Sequence, residues 1–286
     1  MNKILEKLNQ NNKLPQQKEF VYNNICYEGI TGSVSYGINN SESDVDVASI
    51  TIPPMNYIFP YNSGYGKIYG LDKNIPSFEC LQLHNISYNE EKYDILIYGI
   101  TKFFQLAIDN NPNICDILFL PDKCITYIDS VGQILRSNRH LFLSKNSYPR
   151  FMGYACSQLK KLKTKNKQSK SNLIEKYDYD LKSASHVVRL LLETEQILIE
   201  HDLDLEKNSE FLKSIRDGFW KLDEIEKWVK YKEKNMNKLH TESTLRQQPD
   251  LYKIKEILIQ CIKEKHGSTE EFSNISYAVD DSETEQ

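Results

Sequence analysis

The sequence predicts an α+β protein in which a sheet-forming N-terminal part precedes a helical C-terminal part. Runs of apolar residues with the length and spacing typical of strands occur at residues 25–30, 44–52 and 91–98. From about Asp129 onward the apolar residues recur at helical spacing instead. The helices that this spacing predicts cover residues 129–142, 148–165, 173–200, 208–237 and 250–265.

The composition is that of a globular protein with one large or two ordinary domains. Of the 286 residues, 40% are hydrophobic and 27% are charged. No run approaches the roughly 18 apolar residues that a membrane-spanning helix needs, and the first residues lack the apolar core of a signal peptide. The six cysteines form no C-x-x-C pair, so we expect reduced thiols rather than a zinc site. These features predict a cytoplasmic protein without membrane association.

Charge and periodicity together predict three segments. Residues 1–128 are expected to form a catalytic domain and residues 129–266 a helical domain that binds substrate or nucleotide. Residues 267–286 contain six acidic residues and neither Lys nor Arg, which is typical of a disordered tail.

Two short motifs carry the chemistry, GSVSYG at residues 32–37 and SDVDV at residues 43–47. Alternate residues of a strand point to the same face, so Asp44 and Asp46 are expected to project together. Paired carboxylates of this kind suit Mg²⁺, which prefers oxygen ligands. Gly32 and Ser33 form a turn where a phosphate group could approach backbone N–H groups. Either motif alone also occurs in ordinary loops and solvated strands.

In combination, the order of strand, Gly-Ser turn, Asp-x-Asp and strand resembles the signature of the DNA polymerase beta nucleotidyltransferase superfamily. Within it, the sequence resembles the RNA-ligase-associated predicted nucleotidyltransferases. Two positions depart from that pattern: Val34 stands where a basic residue is frequent, and Ser49 stands where glycine is frequent. The residues that carry the resemblance are Gly32, Ser33, Tyr36, Gly37, Ser43, Asp44, Asp46, Pro53 and Pro54.

The resemblance implies a polymerase beta-like mixed sheet with flanking helices, followed by a helical domain. It also implies two Mg²⁺ ions, with Mn²⁺ as an alternative, and a nucleoside triphosphate substrate, for which ATP is expected. Asp94 in the strand at residues 91–98 matches the third metal-binding carboxylate, although from the residues alone it could equally be a surface carboxylate. The metal ligands implied are Asp44, Asp46 and Asp94, and the nucleotide contacts implied are Gly32, Ser33, Tyr36 and Ser43.

One predicted helix carries three further candidates, Lys182, His186 and Arg189, which share a face. They resemble a Lys, His and Arg-Leu pattern of the same family, which implies contacts to the nucleotide, its triphosphate or RNA. The alternative is structural: His186 could lie between domains and Arg189 could pair with Glu193 one turn later.

A tract of six lysines within eleven residues contains no acidic residue. Such a tract attracts a polyanion and makes its binding salt-sensitive, so RNA or DNA binding is expected, although a solvated face is an equal alternative. The tract consists of Lys160, Lys161, Lys163, Lys165, Lys167 and Lys170.

The function predicted is metal-dependent transfer of a nucleoside monophosphate from a triphosphate to an acceptor hydroxyl, with release of pyrophosphate. The resemblance favours an RNA 3′ end as acceptor, a role in RNA repair and a functional association with an RNA ligase. The Asn-, Lys- and Ile-rich composition would fit a phage or a low-GC bacterium. Two alternatives remain open: adenylyl transfer to a protein or small molecule, and a catalytically inactive nucleotide- or RNA-binding protein.

Overall fold

The computed structural model describes residues 3–40, 43–58, 78–165, 177 and 179–267. All but the first residue of the predicted acidic tail lies outside these ranges.

Five strands form one mixed sheet in the order β3-β4-β2-β1-β5. Strands β2 and β4 are parallel, whereas the pairs β1–β2, β1–β5 and β3–β4 are antiparallel. The strands are β1 (Ile25–Ile30), β2 (Val45–Thr51), β3 (Cys80–Tyr88), β4 (Glu91–Gly99) and β5 (Ile125–Ile128).

The three predicted strands are confirmed as β1, β2 and β4, and they are the central strands of the sheet. β2 ends at Thr51, just before Pro53 and Pro54, because proline has no N–H group for a central ladder. Strand β3 was not predicted from the sequence. It lies at the sheet edge with a largely exposed face, and a bulge between Leu83 and Ile86 interrupts its alternation.

Within the described residues, five α-helices belong to the N-terminal part. Asn111 caps the last of them by accepting a hydrogen bond from the Asn113 N–H group, and Pro112 is its first residue, so the cap predicted there is confirmed. The helices are α1 (Ile4–Gln10), α2 (Glu19–Tyr22), α3 (Met55–Ile58), α4 (Ile100–Ile108) and α5 (Pro112–Leu118).

The six remaining described helices follow the periodicity of the sequence, with three corrections. The predicted helix over residues 208–237 is two helices, because Gly218 has a positive φ of 77° and ends the first of them. The helix predicted over 173–200 begins at Leu181, where Asp180 caps it, and the α-helix predicted over 129–142 ends at Ser137 and is followed by a short 3-10 helix. The helices are α6 (Ser130–Ser137), α7 (Ser147–Lys165), α8 (Leu181–Glu200), α9 (Ser209–Arg216), α10 (Leu222–Glu242) and α11 (Leu251–His266).

One buried carboxylate fixes the N-terminal helix to the sheet. Glu28 of β1 is fully buried and accepts hydrogen bonds from the Ile4 and Leu5 N–H groups and from the Thr126 hydroxyl. Burial raises the pKa of this carboxyl, while the three donors pull it down.

The larger of two hydrophobic clusters spans both halves of the chain, from Ile50 in the sheet to Leu191 in α8 and Ile257 in α11. The C-terminal helix α11 packs against α4 and α6, and the His266 ring contacts the Pro53 carbonyl at 3.1 Å. The domain division at residue 128 stays a prediction. None of the described helices is both long and apolar enough to span a bilayer.

Candidate active site

The turn that follows β1 lies directly against the Asp46 carboxylate. Gly32 has a φ of +66°, and a Cβ atom placed on it would lie 2.0 Å from Asp46 Oδ2. Only glycine fits there, because any side chain would displace the carboxylate and would strain the backbone. The Thr31 N–H group also donates to the Asp46 carbonyl at 2.8 Å. The two sequence motifs therefore meet at this point.

Internal hydrogen bonds hold the turn rigid. The Ser35 hydroxyl donates to the Gly32 carbonyl at 2.9 Å, and the Ile38 N–H group donates to the Ser33 carbonyl at 2.9 Å. Val34, which departs from the family pattern, packs against the larger hydrophobic cluster. The turn is thus built without a basic side chain at that position.

The parallel pairing of β2 and β4 places two carboxylates side by side. Asp46 and Asp94 are direct register partners, and Asp44 lies two residues before Asp46, just outside the first residue of β2. Burial raises the pKa of the Asp46 carboxyl; the positive charge of Lys182 opposes this shift, whereas Asp94 and Asp44 add to it. Lys182, Asp94 and Asp44 therefore all act electrostatically on Asp46.

A β-bulge in the edge strand β3 holds Asp94. The Asn85 N–H group donates to Asp94 Oδ1 at 2.9 Å, and His84 Nδ1 lies 3.4 Å from Asp94 Oδ2. Asn85 adopts a positive φ of 55°, which turns its N–H group toward the neighbouring strand. Sequence reasoning missed both residues, although the pair His-Asn within an apolar strand marks the bulge.

Helix α8 brings Lys182 to the carboxylates from the C-terminal half of the chain. Asp180 caps this helix by accepting hydrogen bonds from the Lys182 and Ser183 N–H groups. The Lys182 side chain is exposed, and His186, one turn later, is half-buried. The structure thus places Lys182 within electrostatic reach of Asp46.

Arg189, the third candidate on α8, lies in a buried cluster behind the site. Its guanidinium is 2.8 Å from Asp116 of α5 and 2.8 Å from Glu193, and it covers the Tyr36 ring at 4.1 Å. The Tyr36 hydroxyl donates to Asp116 at 2.6 Å. These contacts support the structural alternative for Arg189, in which it pairs with Glu193. They also mean that Tyr36 packs against Arg189 next to the turn.

Two acidic groups share a single guanidinium in this cluster. Asp116 Oδ1 and Glu193 Oε2 are both buried without a hydrogen-bond partner among the described residues. Burial raises the pKa of Glu193 to about 8; Arg189 opposes the shift and Asp116 adds to it. The buried position of Glu193 therefore favours the protonated form of its carboxyl.

The remaining candidates lie at the margin of the site or outside the described residues. The Ser43 hydroxyl donates to Asn40 Oδ1 at 2.9 Å and closes the loop before β2. Lys160 is exposed on α7, which also contains Lys161, Lys163 and Lys165. The other two lysines of the tract, Lys167 and Lys170, lie outside the described residues.

Among the residues that the structure describes, no three His, Cys, Asp or Glu side chains lie in a group that could hold a metal ion. Asp46 and Asp94 form an open pair instead, with Asp44 at the edge. Mg²⁺ is commonly held by one or two carboxylates, with substrate phosphates and water as its other ligands. An open carboxylate pair next to the Gly32 turn is compatible with that mode of binding.

The protonation of Glu193 makes stability pH-dependent. The pKa of Glu193 is higher in the folded protein than the ordinary value of an unfolded chain. Protonated Glu193 therefore contributes fully to the free energy of unfolding below about pH 4, and this contribution is lost as the pH rises through the folded-state pKa. We expect the unfolding free energy of the wild type to fall from about pH 5 to about pH 8 relative to Glu193→Gln, by up to about 1 kcal/mol per pH unit. Urea unfolding at several pH values measures this, and parallel curves for the two proteins would contradict it. Glu200→Gln, at the exposed end of α8, should follow the wild-type slope.

Comparison with known proteins places the chain in a family. Residues 2–270 match the family described as the RNA repair pathway DNA polymerase beta family. A 38.9 kDa protein from the nrdC–mobD intergenic region of Enterobacteria phage T4 is 29% identical over 134 residues, which cover 46% of this chain. The chain spans 36% of the length of that relative. A nucleotidyltransferase-like protein from Exiguobacterium sibiricum is 12% identical, with a TM-score of 0.32 over 92% of this chain and 76% of that protein. The match over residues 2–270 shows that the chain belongs to the RNA repair pathway DNA polymerase beta family.

Proposed function

We propose that this protein transfers a nucleoside monophosphate from a nucleoside triphosphate to an acceptor hydroxyl, releases pyrophosphate, and uses an RNA 3′ end as the acceptor. The observation that carries the proposal is the contact of the Gly32 turn with Asp46, next to the register pair of Asp46 and Asp94. A turn that can hold phosphates and a pair of carboxylates are the two components that phosphoryl transfer requires.

The side chains of Asp44, Asp46 and Asp94 are chemically suited to bind divalent cations. Their donors are carboxylate oxygens, which suit Mg²⁺ and Mn²⁺, and the half-buried Asp46 lies close to two other acids whose charges disfavour its ionisation. A cation shared by Asp44, Asp46 and Asp94 would offset that repulsion. When bound, two such ions would lower the pKa of the attacking hydroxyl and neutralise charge on the phosphates.

The residues of the chain would then position the substrate. The Gly32–Ser33 backbone and the Ser33 hydroxyl would hold the leaving phosphates, so that the charge developing on pyrophosphate meets fixed donors. Lys182 would approach the same phosphates from α8. Asp94, held by the Asn85 N–H group, would keep its orientation as the acceptor hydroxyl approaches the α-phosphorus.

Three observations support RNA as the acceptor and a link to an RNA ligase, and ATP is proposed as the triphosphate. The family description names an RNA repair pathway, and the sequence resembles nucleotidyltransferases associated with RNA ligases. The lysine tract that begins at Lys160 supplies cationic side chains that suit a polyanion. His186 and Ser43 are proposed as secondary contacts to the nucleotide.

The transfer reaction is tested with α-labelled nucleotides, Mg²⁺ and a mixed RNA pool. We expect label on RNA with the wild type, and a loss of at least about 10³-fold with Asp46→Asn or Asp94→Asn, because each variant removes a charged metal ligand. Asp109→Asn is the matched control, since Asp109 is an exposed carboxylate that pairs with Arg150.

Melting curves should show that all these variants fold. Transfer that persists in both Asp46→Asn and Asp94→Asn would refute the proposed chemistry. Label on protein or on small molecules, rather than on RNA, would refute only the proposed acceptor.

Lys182 is tested by its effect on nucleotide affinity. Lys182→Ala should raise the KM for the triphosphate about tenfold or more, because a charge-assisted contact to a phosphate contributes roughly 1.5–3 kcal/mol. Lys255→Ala, which alters an exposed lysine on α11, should leave that KM within twofold. Steady-state kinetics at fixed RNA measures both, and an unchanged KM for Lys182→Ala would remove this assignment.

A further inference from the structure

A cavity of about 560 Å³ lies between the start of α8 and the connection from α9 to α10. Its lining includes the side chains of Tyr177, Tyr179 and Trp220, and Gly218. This volume lies within the range of small-molecule sites in proteins. None of its lining residues belongs to the carboxylate site or to the Gly-Ser turn, so the cavity is a separate feature of the molecule.

The aromatic walls of the cavity are fixed in place. The Tyr179 hydroxyl donates to the Trp220 carbonyl, and Trp220 Nε1 donates to the Ser214 hydroxyl at 3.0 Å. Phe211 packs edge-on against the Trp220 ring at 5.2 Å. These rings are already ordered before a ligand binds. Stacking of a flat ligand on them would therefore cost little side-chain conformational entropy.

Gly218 allows the Tyr177 ring to form the other side of the cavity. A Cβ atom on Gly218 would lie 2.2 Å from Tyr177 Cε1, and the residue has a φ of +77°. Both features require glycine. Gly218, which separates α9 from α10, therefore also leaves the space that the Tyr177 ring occupies at the cavity.

The charged residues of the lining are Lys221, Asp223 and Glu226, and the Asp223 carboxylate also pairs with Lys227 Nζ at 3.1 Å. Each carboxylate has a second oxygen, so the two side chains suit a ligand that presents N–H donors. Aromatic faces with carboxylate acceptors match a nucleobase that carries an exocyclic amino group, such as adenine or cytosine.

The cavity is also close to the candidate active site along the chain. Tyr179 precedes Lys182 by three residues, so their Cα atoms are at most about 11 Å apart. Lys182 in turn acts electrostatically on Asp46. A nucleotide bound by its phosphates near Lys182, or an RNA strand that ends there, could place a base in the cavity.

We propose that this cavity binds an amino-bearing nucleobase of a substrate, an inference that rests on the proposed nucleotidyl transfer. The base would stack on Trp220 and Tyr177, and its amino edge would face Asp223 and Glu226. The base could come from the RNA acceptor or from the triphosphate, and the experiment separates these two sources.

The test measures binding in EDTA, where no transfer occurs. The probes are a fluorescein-labelled adenylate hexamer, the matching uridylate hexamer, and ATP alone.

Trp220→Leu should weaken binding of the adenylate hexamer or of ATP about fivefold or more, in line with the loss of one stacked base. Trp220→Phe, which keeps an aromatic face, should bind within twofold of the wild type. Trp228→Leu is the matched control, because Trp228 contacts Phe211 outside the cavity lining.

A second measurement does not depend on a variant that could fold poorly. The chain has two tryptophans, so Trp228→Phe leaves Trp220 as the sole tryptophan. Its fluorescence should be quenched by the hexamer if the base comes from RNA, and by ATP if the base comes from the triphosphate. Asp223→Asn combined with Glu226→Gln should reduce the preference for adenylate over uridylate.

The outcomes separate the cavity from the transfer reaction. Binding that depends on Trp220 in a protein that transfers no nucleotide would support the cavity and refute the reaction. Normal transfer, together with unchanged binding of the adenylate hexamer and of ATP by a folded Trp220→Leu and no quenching of Trp220, would overturn the cavity proposal alone.

Discussion

The buried guanidinium of Arg189 joins the parts of the protein on which the site depends. It pairs with Asp116 of α5 and Glu193 of α8 and covers the ring of Tyr36. Removing Arg189 would leave the buried Asp116 carboxylate without its opposite charge, which is strongly destabilising. Because Tyr36 belongs to the turn after β1 and Arg189 follows Lys182 on the same helix, this cluster sets the position of Lys182 relative to the turn.

The same organisation brings like charges together at the front of the site. The turn holds Asp46 against Gly32, and strand register holds it next to Asp94. Burial and the neighbouring acidic groups both disfavour the ionised form of Asp46. A structure shaped by stability alone would avoid this arrangement. Cations and substrate phosphates offset that repulsion in the function proposed here, so stability and binding are coupled through these carboxylates.

The sequence was sufficient to predict the central strands of the sheet and the carboxylates on them. It predicted fewer of the edge strands and of the contacts between distant segments. Asp44, Asp46 and Asp94 lie in or next to apolar central strands, whose pattern is strong, and Asn111 caps α5 as expected. Strand β5 has four residues, too few for a periodic signal. The bulge at Asn85 and the Arg189 cluster depend on contacts between distant segments, which no local pattern encodes. For Arg189, the i+4 spacing to Glu193 indicated a pair but could not show that Asp116 and Tyr36 complete it.

The central claim is that Asp44, Asp46 and Asp94 hold divalent cations beside a phosphate-binding turn. Crystals grown with Mn²⁺ and a non-hydrolysable ATP analogue test it most directly, through the anomalous scattering of manganese. The account predicts anomalous peaks within about 2.0–2.6 Å of carboxylate oxygens of Asp46 and Asp94, with the analogue's phosphates at Gly32 and Ser33. Manganese or phosphates bound elsewhere, with these carboxylates free of metal, would contradict it.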